Sequence, residues 1–320
     1  MSALPSRLIL PGDQPLSTPR GPGLIRPVET LLRLDRPLLR GVEIYDWCTR
    51  HGIEATASIV NTMLMAGSVL PPITTVFDYT GALQTLTVPW GYHRALMRLW
   101  GAGGHGSTLN GTSVGGGAGY VMGILDVVPG SVLSVLVGGC GLTAGQAAYG
   151  GGGPALSGAT GHGGGGGRSA LIVGGVEVAT APGGGGGGNN GAAGGAGGGL
   201  VGSAGATGGN YGPGQGGTQT AGGALGAGCN GSAGALHQGG SGGTAGGLGG
   251  GGGHYGGGGG DGGGGGSAYI GGLTQATTLG GTGAVPGGTT DPYYATGIGV
   301  GSASGSVNGG HGRVVITLLM

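Results

Sequence analysis

The residues of this chain that could move a proton or hold a metal are few and scattered. Beyond Trp100 the only carboxylates are Asp126, Glu177, Asp261 and Asp291, and the seven histidines form neither a His-x-His pair nor a His-Glu-x-x-His motif. Glycoside hydrolysis needs two carboxylates held about 5–10 Å apart across one bond, and a catalytic zinc needs closely spaced ligands. Neither pattern is visible, because Asp126 and Glu177 fall in strand-like segments and Asp261 lies inside a glycine run. The chain has no lysine, so a phosphate-cradling Gly-x-x-x-x-Gly-Lys loop is excluded, and Gly-x-Gly-x-x-Gly matches are uninformative in so glycine-rich a background. Cys48, Cys140 and Cys229 are odd in number and widely spaced, and they read as buried free thiols. The expectation is therefore no enzymatic activity, no metal and no cofactor.

What remains is a chemistry of recognition. Tyrosine offers a large amphipathic surface at low entropic cost and stacks on sugars or protein partners. Short non-glycine stretches break the glycine at Asn189-Asn190, Asn210-Tyr211, Leu236-His237-Gln238, His254-Tyr255 and Asp291-Pro292-Tyr293-Tyr294. If the chain turns back at these places, their side chains sit on loops carried by a rigid scaffold. The candidate binding residues are Tyr293, Tyr294, Asp291, Tyr211, Tyr255, His237, Asn189 and Asn190. The competing reading is that these side chains only plug gaps. For His254-Tyr255, embedded in glycine, that reading is favoured; for Tyr293-Tyr294, with Pro292 stiffening the loop, binding is favoured.

The scaffold that must position them is unusual. Glycine supplies 97 of the 320 residues, and all but eight of those glycines follow Trp100. Such a stretch cannot bury a side-chain core, so its order must come through the backbone. Collagen requires a strict Gly-X-Y period with abundant proline, which the sequence lacks. A flexible linker is the default for such composition. The third reading is a bundle of polyglycine II helices, left-handed with three residues per turn, whose N–H and C=O groups pair only with neighbouring helices. The framing of the glycine favours order. Leu83–Val88 and Arg94–Trp100 alternate like strands, the latter with Ala95, Met97 and Leu99 on one face. Tyr120–Val128 and Ser131–Val137 flank Pro129-Gly130, a type II turn pair, and read as a hairpin. A second hairpin joins Ala170–Val173 to Val176–Ala179 through Gly174-Gly175. The chain closes with Arg313–Leu318, which places Val314, Ile316 and Leu318 on one side. If that last strand pairs with earlier ones, the glycine is an insertion in a β-domain, held at both ends.

The run Phe77-Asp78-Tyr79-Thr80-Gly81, then Gln84–Pro89, then Leu99-Trp100-Gly101-Ala102-Gly103-Gly104 resembles the opening of the glycine-rich domain of many phage tail-fibre and adhesin proteins. Val128-Pro129-Gly130-Ser131, Val137-Gly138-Gly139, Thr180-Ala181-Pro182, Ser267-Ala268-Tyr269-Ile270-Gly271-Gly272 and the closing Gly310–Thr317 extend the likeness across Phe77 to Leu318. The resemblance implies a mainly β chain: a tumour-necrosis-factor-like β-sandwich with an inserted polyglycine II helix bundle. A similar module occurs in the ectodomains of the anaplastic lymphoma kinase family of receptors, but no kinase domain or membrane span is visible here. The resemblance also implies a virion protein, a tail fibre or fibre-tip adhesin, often a homotrimer, that binds a host surface receptor.

Three regions follow: an extended proline-rich arm at 1–40, a short helical adaptor and linker at 41–72, and the glycine-rich domain at 73–320. The arm carries seven prolines and reads either as disordered or as a segment laid on another virion protein through Leu31, Leu32, Leu34, Leu38 and Leu39. In the adaptor, Ile44, Trp47 and Cys48 share one helical face, and Ile59, Met63 and Ala66 another. Arginine supplies all eleven positive charges, balanced by eleven acids, so no basic face for nucleic acid is expected. No signal peptide and no membrane-length apolar run are apparent, which favours a virion protein assembled inside its host. The alternatives are a purely structural filament subunit or capsid decoration protein, or an extracellular glycine-rich matrix protein.

Overall fold

The computed structural model describes residues 70–107, 113–143, 145–156, 162–209, 211–245, 247–302 and 308–320. The proline-rich arm with its five leucines, the helical adaptor at 41–66 and Asn210 lie outside the described residues. The described chain is mainly β. Strands β1 (Ile73–Asp78), β9 (Arg313–Leu319), β3 (Arg94–Trp100), β4 (Tyr120–Asp126) and β8 (Thr274–Leu279) form one sheet in that order. Strands β2 (Gln84–Thr87), β5 (Val132–Leu136), β6 (Ser169–Val173) and β7 (Val176–Ala181) form the other. Every pairing is antiparallel. Among the described residues no helix is long and apolar enough to cross a membrane.

The two-residue side-chain period sorts each strand into an inner and an outer face. Ala95, Met97 and Leu99 of β3 and Val314, Ile316 and Leu318 of β9 turn inward, where they meet Leu133 and Val135 of β5 and Leu171 of β6 in one core. The opposite face of the five-stranded sheet carries a second cluster of Trp100, Tyr120 and Val315. β9 lies between β1 and β3, so the end of the chain is paired on both sides within the sheet that the first strands open.

The expected hairpin of β4 with β5 does not form. The type II turn is present, with Gly130 at φ +83° and the Ser131 N–H donating to the Val128 carbonyl at 3.0 Å. It joins strands of different sheets. Val88 captures the turn through hydrogen bonds with Gly130 and Ser131 and leads β5 to pair with β2. Val121 and Leu125 of β4 thereby face Leu133 and Val135 of β5 across the core, where a flat hairpin would have left both pairs on one side. The second expected hairpin is present: Gly174 and Gly175 both have positive φ, as a type I′ turn demands. Val178 is extra in its ladder, since Leu171 faces Ala179 while Ile172 faces Glu177.

The glycine is not one insertion but four. Residues 101–119 join β3 to β4, 137–168 join β5 to β6, 182–273 join β7 to β8 and 280–312 join β8 to β9. Pairing of Trp100 with both Tyr120 and Arg313, and of Tyr120 with Leu279, sets these strand ends level in one sheet. Ser169 and Ala181 are level in the other. All four excursions therefore spring from one end of the sandwich, and their described residues pack into a common body.

That body is bonded with a period of three. Along 183–188, Gly183 and Gly186 donate to the carbonyls of Gly252 and Gly249, Gly184 and Gly187 to Ala102 and His105, and Gly185 and Gly188 to Gly195 and Ala192, at 2.7–3.0 Å. The carbonyls of this stretch and of Pro182 just before it accept from Gly116 and Gly119, from Gly166, and from Gly263 and Gly266. One glycine segment is thus enclosed by six others, some parallel and some antiparallel, with no hydrogen bond inside itself. Only glycine permits this approach: a β-carbon on Gly185 would lie 2.0 Å from the Gly263 carbonyl oxygen, and one on Gly184 2.0 Å from that of Gly116.

Candidate functional site

Asp291, Tyr293 and Tyr294 form a loop pinned to the outer face of the five-stranded sheet. One Asp291 carboxylate oxygen accepts from Arg98 Nε at 2.9 Å and from the Tyr120 hydroxyl at 2.8 Å. Its other oxygen accepts the Tyr293 backbone N–H at 2.9 Å. Asp291 and Arg98 are largely buried, so this is a charge-assisted strut sheltered from solvent screening. Burial, together with the adjacent Asp291 carboxylate, pushes the Tyr120 phenol far up and keeps it protonated as a donor. The Arg98 guanidinium lies 4.9 Å from the Tyr293 ring centroid, a cation–π distance. Tyr294 packs near Trp100 at 6.3 Å. Both tyrosine rings are half-buried, so each spends part of its surface on the sheet and offers the remainder outward.

His237 and Tyr255 belong to a second place. There Arg168 reaches Glu177 through Nε at 3.2 Å and Nη2 at 3.1 Å, and its Nη1 donates to the carbonyls of Gly150 and His237. The Thr180 hydroxyl donates to the same carboxylate, and His237 Nε2 lies 3.6 Å from it. His254 stacks on Tyr269 at 4.4 Å and meets Tyr255 edge-on at 5.1 Å. Burial lowers the basicity of His237, opposed by Glu177 and reinforced by Arg168. Burial also lowers that of His254, and the neighbouring His237 adds to this. With its oxygens occupied by an arginine, a hydroxyl and an imidazole, Glu177 is a tie between β6, β7 and the glycine body. It is poorly placed to take a proton from a substrate.

Asn190 and Tyr211 lie in turns elsewhere. Asn189–Gly191 is a short 3-10 turn with Asn190 exposed at φ +54°, reversing the chain between two glycine segments. Tyr211 is exposed, packing near Gly228. The structure thus groups Asp291 with Tyr293 and Tyr294, and His237 with Tyr255, and leaves Asn190 and Tyr211 apart from both groups.

The residues that hold the first loop, Arg98, Trp100 and Tyr120, were not among the sequence candidates. Arg98 carried a signal, being a charged outward residue between the inward Met97 and Leu99. Cys140 and His311 make a further close pair. The Cys140 backbone N–H donates to His311 Nδ1 at 3.0 Å, so the neutral ring carries its proton on Nε2, which faces the thiol sulfur at 4.0 Å. An imidazole in that tautomer cannot deprotonate the thiol. Burial moreover pushes the thiol up and the imidazole down, which keeps both neutral. Cys140 is free and buried as expected; Cys229 is free but only half-buried, because it follows the surface turn at Gly226–Gly228. Among the described residues no group of three or more His, Cys, Asp or Glu side chains is placed to hold a metal ion. No protein-family model matches this chain, and a search of curated proteins found none similar to it.

Proposed function

We propose that this chain is a non-enzymatic virion structural protein, a tail fibre or fibre-tip adhesin, whose N-terminal part attaches it to the particle. Its glycine-rich domain then presents loops to a host surface receptor, protein or glycan. The finer reading of the fold is a tumour-necrosis-factor-like sandwich that carries polyglycine II helices. The observation that carries the proposal is the period of three in the glycine hydrogen bonds, with successive N–H groups turning to three different neighbours. A body bonded in this way is stiff without a side-chain core, and its turns hold side chains at fixed positions. Tyr211, Leu236, His237, Asn190 and the outward parts of Tyr293 and Tyr294 are the groups so presented.

The test uses fluorescently labelled full-length chain on a panel of bacterial cells, with mass spectrometry of purified phage particles as a second readout. The reading expects saturable cell binding and peptides of the chain in the particle. Joint replacement of Tyr293 and Tyr294 by alanine should weaken binding by about tenfold or more while the fold is retained. If that variant and Tyr211→Ala both bind like the parent, the named residues are wrong. Presence in particles without cell binding would favour the second reading, a purely structural subunit.

A further inference from the structure

The end of the sandwich opposite the glycine body is closed by two arches. Residues 88–93 carry β2 to β3 and 127–131 carry β4 to β5. The arches are bonded together: Gly130 donates to the Val88 carbonyl, Val88 to that of Ser131, and Val127 to that of His93. Apolar side chains stand out around them, from Trp90 at 36 % exposed through Val132 and Val176 to Val128 at 70 %. Val132 pairs with Thr87, Leu133 with Val173, and Val173 with Val176, so these side chains follow the ends of β2, β5, β6 and β7. Four neighbouring strands make a strip about 15 Å long. Arg94 and Asp126, charged residues of the same end, face each other in the other sheet.

The chain enters the domain at this end. Leu70 is buried in the sandwich core, and its N–H donates to Met320 Sδ at 3.1 Å. The Tyr92 hydroxyl donates to the Pro71 carbonyl at 2.7 Å, and Ile73 then pairs with Leu318. The entry point is therefore fixed at the arches. Immediately before it, residues 55–69 contain no charged side chain, and Ile59, Met63 and Ala66 share one face of a helix. Gly67 is a residue suited to end that helix. A helix over 55–66 is about 18 Å long, close to the length of the strip. One so short is marginal in water unless its apolar face is covered.

We propose that residues 55–66 lie across this strip, with Ile59 and Met63 against Val128 and Val132, so that the chain's own adaptor closes the end of the sandwich. The tether selects the occupant. Between Ala66 and Leu70 the chain spans at most about 14 Å, and a link this short holds the segment at an effective concentration on the order of millimolar. Neither a second copy nor a dissolved partner reaches that level at ordinary concentrations. Leu279 and Val285 are also exposed, but Leu279 stands level with Tyr120 at the glycine end, away from this attachment. The arm at 1–40 then departs from the pole opposite the glycine body, and the glycine loops point away from whatever the arm holds. The docking rests on the exposed strip and the short tether and not on the adhesin reading, so loss of cell binding leaves it standing.

Amide exchange of the full-length chain, read by mass spectrometry, tests it. In the parent, peptides covering 55–66 should be protected, and equally so in dilute and concentrated samples. Val128→Asp combined with Val132→Asp, both at exposed positions, should speed their exchange about tenfold or more while β3 and β9 keep parental protection. Met63→Glu alters the segment and not the sandwich; it should do the same, and it serves if the double variant fails to fold. Coil-like exchange at 55–66 in the parent overturns the proposal, as does protection that no folded variant changes. Protection that rises with protein concentration also overturns it, in favour of a second copy on the strip.

Discussion

In the sandwich, Met97, Leu99, Leu133, Leu171, Ile316 and Leu318 exclude water by filling the space between sheets whose backbones stand apart. In the glycine body, Gly183–Gly187 exclude water because there is no space to fill: backbone meets backbone on every side. The first arrangement encodes its neighbours in side-chain shape and loses stability in proportion to volume removed. The second encodes them in hydrogen-bond direction and is intolerant of volume added. A chain that joins the two gains a rigid extension from a sandwich of ordinary size, because the strand ends fix where each glycine segment begins and ends.

The sharpest way to break this comparison is to add a side chain to the body. Gly185→Val should be the most damaging single change, since its β-carbon would lie 2.0 Å from a backbone oxygen that other segments hold in place. The expected cost exceeds the roughly 1–3 kcal/mol typical of overpacking a side-chain core, and Gly264→Val should behave alike. Denaturant melts together with amide exchange across 183–266 check this; near-parental melting, or coil-like exchange in the parent, would refute the bonded array. Leu133→Ala in the sandwich should cost about 2–5 kcal/mol, the usual price of a core cavity. Its damage should spread through the strands first, visible as faster exchange in β5 and β6 than in the glycine segments. Asp291→Ala should cost about 1–3 kcal/mol, because it strips the partner from buried Arg98 and Tyr120. Loss of order should be confined to the 288–298 loop in its exchange profile.

The smallest effect per group is expected from pH, and it separates the two regions. His105, His162, His237, His254 and His311 all have basicity lowered below the ordinary 6.5, with burial the largest cause in each. Between that value and the lower folded one, the unfolded chain binds more protons, so stability rises with pH there. The contribution is complete above pH 6.5 and is lost as pH falls from 6.5 through the folded values. Melts between pH 7.5 and 5 should show this decline, and replacing His254 by glutamine should reduce it. Acid opening should begin in the glycine body, which holds or borders all five. A melting temperature flat across that range would contradict the assignment.

How much of this was legible in the sequence follows from what each residue type can encode. Ala95, Met97 and Leu99, or Val314, Ile316 and Leu318, announce a face because apolar and polar residues alternate there. Gly174-Gly175 announces a hairpin because positive φ at two successive residues suits little else. The β4–β5 arch is not legible as such, because a turn fixes local geometry and not which sheet each strand joins. β1 and β8 carry little strand signal, since their threonines blur the apolar contrast in Ile73–Asp78 and in Thr274–Leu279. Within the glycine body nothing in the composition says that Gly186 meets Gly249 or that Gly187 meets His105. At the loop, the Asp291-Tyr293-Tyr294 grouping was visible in a single short stretch. Its partners Arg98 and Tyr120 lie 193 and 171 positions away, beyond the reach of local pattern.

The threefold direction of the backbone bonds also constrains how the glycine arms can change in length. Inserting one residue into a run such as 183–188 turns every later N–H toward a different neighbour, while inserting three restores each direction. Arms of this construction therefore tolerate insertions and deletions in triplets. A library of one-, two- and three-glycine insertions in one run, selected for folding, should retain the triplets and discard the rest.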